Sequence, residues 1–164
     1  MQNAALFSQR AFAAIGLEVL QHKHVETGGV LLGFYRNKKW EIVESVFAGP
    51  KAIHKSAEFI YDNDYVCYEA NMVSQLYDIP LEVIGIWHTH ICFAPFSIAD
   101  NFTNKKFAKI SKNGALSFLI NVSTKTSEMY QVTKTGGQSK IPFKVQGYKD
   151  ESCHIVYKNF FFGT

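Results

Sequence analysis

His88 and His90 stand two residues apart at the end of an apolar run, Leu81-Glu82-Val83-Ile84-Gly85-Ile86-Trp87. In an extended strand that spacing points both imidazoles to the same side, where they can grip one ion. Further on, Ser97 and Asp100 form S-x-x-D, the relation of a helix N-cap to its N3 residue, which predicts a helix starting at Ser97. Asp100 then lies in the first helical turn, from which its carboxylate can swing back to the strand end. Two imidazole nitrogens and one carboxylate oxygen, with a fourth position left to water, make the ligand set of a catalytic zinc. Zinc lowers the pKa of such a water to about 7, which yields a nucleophile at neutral pH. The chemistry also needs a proton acceptor that is not a ligand. Glu26, just ahead of Gly28-Gly29, is the best candidate. Cys92, two residues beyond His90, is a rival ligand if the strand continues, because thiolate also binds zinc.

The run Glu26-Thr27-Gly28-Gly29-Val30-Leu31-Leu32-Gly33, followed later by G-x-x-H-T-H (Gly85 to His90) and S-x-x-D (Ser97 to Asp100), resembles the JAMM metalloproteases. These are the zinc-binding JAB or MPN+ domains, known as isopeptidases that remove ubiquitin-like proteins. The resemblance implies a deaminase-like three-layer α/β/α fold with a mixed β-sheet. It implies zinc as cofactor, His88, His90 and Asp100 as ligands, and Glu26 as general base and then acid. It also implies that Ser97 helps to stabilise the oxyanion, a type of donor worth roughly 3 kcal/mol in comparable sites. The implied substrate is an amide bond after the C-terminal tail of a ubiquitin-like protein modifier, the extended tail lying along a sheet edge. Stand-alone bacterial relatives of this kind act in modifier removal or antiviral defence. Two features depart from the family pattern. Ile91 stands where Pro usually follows the second His, and the stretch Ile91 to Phe96 is one residue shorter than usual. A catalytically silent MPN-type scaffold is the rival from another class, and it predicts missing ligands.

The elements that must position these residues are legible in outline. Residues 8–23 read as a helix with Ser8 as N-cap and Phe12, Ile15, Val19 and Leu20 on one face. Val30 to Tyr35 and Trp40 to Phe47, joined by the polar turn Arg36 to Lys39, read as a hairpin. Residues 57–61 read as a short strand. A second helix runs from Asp62 to Tyr77, opened by Asp62 or Asp64, with Tyr65, Tyr68, Met72 and Leu76 at helical spacing. Leu81 to His88 reads as a buried strand, and residues 115–123, 127–134 and 141–148 as later strands, with Gly136-Gly137 at a turn.

Composition bounds the rest. A chain of 164 residues with 47% hydrophobic and 19% charged residues has the material for one packed domain spanning 1–164. Lys and Arg number 17 against 14 acidic residues, a net charge of +3, which is too thin a basic excess for a dedicated nucleic-acid binder. Cys67, Cys92 and Cys153 are scattered and odd in number, which argues against a disulfide scaffold or a zinc ribbon. No membrane span and no signal peptide is read, so the expected location is the cytoplasm. The H-x-E and P-C-x-x-C pair of zinc nucleobase deaminases is absent. His22, His24, His54 and His154 have no partners at ligand spacing and are expected at the surface, and Phe160-Phe161-Phe162 is expected to pack on the core.

Overall fold

The computed structural model describes residues 3–147. Cys153, His154 and the Phe160-Phe161-Phe162 run lie outside the described residues. The elements are β1 (Ala4–Phe7), α1 (Gln9–Gln21), β2 (Gly28–Arg36), β3 (Lys39–Phe47), β4 (Ile53–His54), β5 (Phe59–Ile60) and α2 (Asn63–Ser74). They continue as β6 (Glu82–His90), α3 (Ile98–Ile110), β7 (Ala115–Asn121), β8 (Thr126–Val132), β9 (Gln138–Ile141) and β10 (Phe143–Val145). The result is an α/β fold built on a mixed sheet. Its strand order is β10-β1-β3-β2-β6-β7-β8-β9, with β4 and β5 as a separate pair. The two edge strands are consecutive in the chain and separated only by Pro142, so the sheet curls until its edges meet. Proline suits that crossing because it has no N–H to leave unpaired, while its carbonyl accepts from Ala5 N at 2.9 Å.

Side chains alternate between the two faces. Leu31, Trp40, Ile42, Trp87 and Phe118 pack with Ala11 and Ile15 of α1. Val30, Leu32, Val43, Val46 and Ile86 pack with Val66 and Ala70 of α2, and Phe107 of α3 lies against them. Period two along β6 therefore sends Trp87 to the α1 face, and Ile86, His88 and His90 to the face covered by α2 and α3. This alternation is what brings Asp100 of α3 within reach of both imidazoles.

The helices begin where the caps predict. The Ser8 hydroxyl accepts from Ala11 N, the Asp62 carboxylate from Tyr65 N, and Ser97 with Asp100 forms a full capping box. Their buried faces differ from the expected ones. In α1 the inward residues are Ala11, Ile15 and Glu18, whereas Phe12 is part-exposed and Leu20 is exposed. In α2 they are Val66 and Ala70, with Tyr65 and Val73 beside them, while Tyr68, Met72 and Leu76 are exposed. Helical period alone does not select between adjacent stripes, and here the stripe of smaller residues is the one that lets the helix approach the sheet. β1 has no counterpart in the sequence reading, and the last expected strand is divided by Pro142 into β9 and β10.

Gly28 and Gly29 explain the turn after Glu26. A Cβ on Gly28 would sit 2.3 Å from the Trp87 carbonyl oxygen and 3.0 Å from His88 Cβ. On Gly29 it would sit 2.1 Å from the Val46 carbonyl. Only glycine admits this approach, which presses the start of β2 against the His-bearing end of β6.

Candidate metal centre

His88 and His90 are buried at the C-terminal end of β6, with Gly28 opposite His88 on β2 and Asn121 opposite His90 on β7. Asp100 enters from α3. Its Oδ1 lies 3.3 Å from His88 Nε2 and its Oδ2 3.3 Å from His90 Nε2, and the two Nε2 atoms are 3.1 Å apart. A tetrahedral ion with arms of about 2.0–2.2 Å spaces its donors roughly 3.3–3.6 Å apart; the three separations lie at or just below that spacing, with the two Asp100 contacts made by its two different oxygens.

Proton placement strengthens the fit. His90 Nδ1 lies 3.2 Å from the Ala94 carbonyl oxygen, which only accepts, so Nδ1 carries the proton. Neutral His90 then turns an Nε2 lone pair towards a carboxylate oxygen and a second imidazole. The lone pair and the carboxylate are both acceptors, and a cation between them, either a proton or a metal ion, satisfies both. Outer contacts hold the arrangement: Asn121, buried at the end of β7, accepts from Ala94 N at 3.0 Å, which fixes the carbonyl that orients His90. Phe96 packs against the His88 ring at 5.8 Å between centroids.

The electrostatics follow. The hydrogen bond with Asp100 raises the pKa of His90 above the ordinary imidazole value, against burial, with the Ala94 carbonyl adding to the rise. For Asp100, burial favours the neutral form, but the His88 and His90 hydrogen bonds outweigh it and hold the carboxyl far below the usual carboxylate range.

Glu26 stands outside the ligand triangle on the segment entering β2. Its backbone is anchored to the β4–β5 connection, where Glu26 N donates to the Lys55 carbonyl at 2.7 Å. Burial pushes its carboxyl up; His90 and His88 pull it down, and Asp100 adds to the rise. It borders two adjoining clefts. One, of about 390 Å³, is lined by Phe59, Tyr61, Trp87, His88 and Asp100 as well as Glu26. The other, of about 470 Å³, shares Glu26, Phe59 and Asp100 with it and adds His90, Cys92 and Ser97. A chain crossing from one cleft to the other passes the ligand triangle and Glu26 together.

Ser97 is exposed, and its hydroxyl oxygen accepts from Asp100 N at 3.1 Å while Ser97 N donates to Asp100 Oδ2 at 2.7 Å. The cap therefore also aims the Asp100 carboxylate, and Ser97 lines the second cleft. Cys92 is exposed beyond the end of β6 and belongs to no metal-competent cluster among the described residues, so the chain turns away before it can join His88 and His90.

All five positions singled out in the sequence thus surround one place. The sequence reading missed Asn121, Phe96 and the Glu26 anchor at Lys55, which depend on strand register and long-range pairing. It left His22 and His54 as surface residues without partners; both are part-exposed, as expected, but their rings stack 4.2 Å apart next to Glu18.

No family model matches the sequence, and no curated protein matches it. Among solved structures, the fold is similar to the solution structure of protein DSY2949 from Desulfitobacterium hafniense. The TM-score is 0.63 at 11% identity, covering 87% of this chain and 92% of that one. At that identity the likeness concerns the fold alone. No helix among the described residues is long and apolar enough to cross a membrane.

Proposed function

We propose that the protein is a zinc-dependent peptidase or isopeptidase of the JAMM type, with a deaminase-like α/β/α fold. It would cleave the amide bond after the C-terminal tail of a ubiquitin-like modifier, as in a bacterial modifier-removal or antiviral-defence system. The observation that carries this reading is the triangle of His88, His90 and Asp100 donor atoms, beside a carboxylate that is not part of it. Helices on both sheet faces support the layering.

His88, His90 and Asp100 would hold the ion, which when bound supplies a Lewis acid and lowers the pKa of water to about 7. Glu26 takes a proton from the attacking water and returns it to the leaving amine. Burial raises its carboxyl above the ordinary value, the direction that suits a group that must both accept and return a proton. The Ser97 hydroxyl donates to the oxygen on which negative charge develops. Asp100 keeps its orientation through the same cap, and the Ala94 carbonyl keeps His90 Nε2 free of a proton of its own. The β4–β5 pair flanks both clefts through Phe59, and an extended tail can add to such a strand edge.

The test is metal analysis combined with cleavage of modifier fusions by wild type and Glu26→Ala. Zinc retained in Glu26→Ala with cleavage lost supports the assignment. Unchanged cleavage removes Glu26 from the mechanism, and zinc-loaded wild type that cleaves no fusion favours the silent scaffold.

A further inference from the structure

Beside the segment that enters β2 lies a second cluster that the proposed hydrolysis does not use. Glu18 and His22 share a face at the end of α1 by i, i+4 spacing, and His54 meets them from β4. One ligand atom from each lies within 4.8 Å of the others. Glu18 is only 7% exposed, and no Lys or Arg pairs with it among the described residues. A carboxylate withdrawn from water in this way favours a cation beside it. The C-terminal end of α1 adds its own negative dipole at the same place. A cleft of about 570 Å³ lined by Glu18, His22, His54 and Tyr65 opens the cluster to solvent.

We propose that Glu18, His22 and His54 form a second site for a divalent transition-metal ion of the zinc class. The donors are already prepared by outer hydrogen bonds. Thr27 Oγ1 donates to Glu18 Oε1 at 2.8 Å. His22 Nδ1 faces the Glu18 carbonyl at 3.2 Å and carboxylate Oε1 at 3.1 Å, and His54 Nδ1 faces the Glu26 carbonyl at 3.0 Å. The Glu26 carbonyl accepts, so His54 carries its proton on Nδ1 and keeps an Nε2 lone pair for a metal, whereas His22 offers Nδ1, which already lies beside Glu18 Oε1. The two rings stack within 10° of parallel. Both are part-exposed, whereas His88 and His90 are buried, so this site is expected to bind more weakly than the first.

The two sites are joined through the sheet. Thr27 N donates to Thr89 Oγ1 at 2.9 Å and Thr89 N to the Thr27 carbonyl at 2.8 Å, and Thr89 lies between His88 and His90. His54 also reaches the residue placed as the base, through the Glu26 carbonyl that its Nδ1 faces.

Zinc stoichiometry is measured by equilibrium dialysis and elemental analysis on the full chain without a polyhistidine tag, with circular dichroism to confirm folding. Wild type is expected to bind two equivalents, the second more weakly. His22→Ala/His54→Ala is expected to bind one, and His88→Ala/His90→Ala to bind the other. A folded His88→Ala/His90→Ala protein that binds no zinc overturns the second site, as does a folded His22→Ala/His54→Ala protein that still binds two equivalents. Zinc lost only from the His22→Ala/His54→Ala protein would instead defeat the first site and leave this one standing. Cobalt substitution reads the same partition by absorption, and a single-site variant, His54→Ala, serves if the double variant does not fold.

Discussion

Asn121→Ala removes one hydrogen-bond acceptor that touches no ligand directly. In the native fold its Oδ1 accepts from Ala94 N at 3.0 Å, and the Ala94 carbonyl accepts from His90 Nδ1 at 3.2 Å. Leaving a buried N–H without a partner costs about 1–3 kcal/mol, and the lower half applies because Ala94 is only half-buried. For a chain of this size each kcal/mol moves the melting temperature by roughly 2–4 °C, so a fall of roughly 2–8 °C is expected. The zinc effect is separate. Loss of an outer hydrogen bond to a ligating histidine typically weakens metal binding ten- to a hundredfold, or about 1.4–2.7 kcal/mol. Chelator competition on wild type, Asn121→Ala and Asn121→Asp measures it, with melting followed on the metal-free proteins. Asn121→Asp keeps an acceptor for Ala94 N and is expected to recover most of the affinity. If Asn121→Ala melts lower but binds zinc as tightly as wild type, the chain from Asn121 through Ala94 to His90 has no role in ligation.

Glu26→Gln is expected to keep zinc and lose cleavage by about 10²–10⁴-fold, the usual contribution of a general base, as read by initial rates on a modifier fusion. Ser97→Ala removes the cap that holds Asp100, so stability should fall by about 1 kcal/mol in denaturant melts, together with weaker zinc binding. Gly28→Ala forces a Cβ onto the Trp87 carbonyl, and soluble yield and zinc content should both drop, whereas Gly16→Ala, where nothing lies within 4 Å, should not. The metal-free protein should depend on pH in a defined sense. Asp100, with a lowered pKa, contributes stability above the ordinary carboxylate value of about 4, lost as pH falls through its folded value. His90, with a raised pKa, contributes stability below about 6.5, lost as pH rises through its folded value. Zinc must displace that proton, so the rise in melting temperature on adding zinc should grow with pH across this upper limb; a rise that shrinks there would contradict the scheme.

The ligand pair was legible because strand period two is rigid: His88 and His90 share a face wherever β6 is placed. Asp100 was legible through the S-x-x-D cap, which fixes both the start of α3 and the direction of the carboxylate. Other features depend on neighbours distant in sequence. The inward stripes of α1 and α2 were read in part: Ile15, Val19 and Tyr65 pack inward as expected, but Leu20 and Met72 satisfy helical period as well as Ala11 and Ala70 do, and only approach to the sheet selects the small residues. β1 is four residues long and draws its order from parallel pairing with β3 and β10. The Glu18-His22-His54 cluster was invisible because His54 arrives from another element. Asn121 owes its role entirely to register opposite His90.

The most direct measurement is anomalous diffraction at the zinc edge from crystals of the zinc-loaded protein. A peak is expected about 2.0–2.2 Å from His88 Nε2, His90 Nε2 and an Asp100 oxygen, with Glu26 outside the ligand sphere. Zinc peaks elsewhere with none among these three side chains would contradict the account.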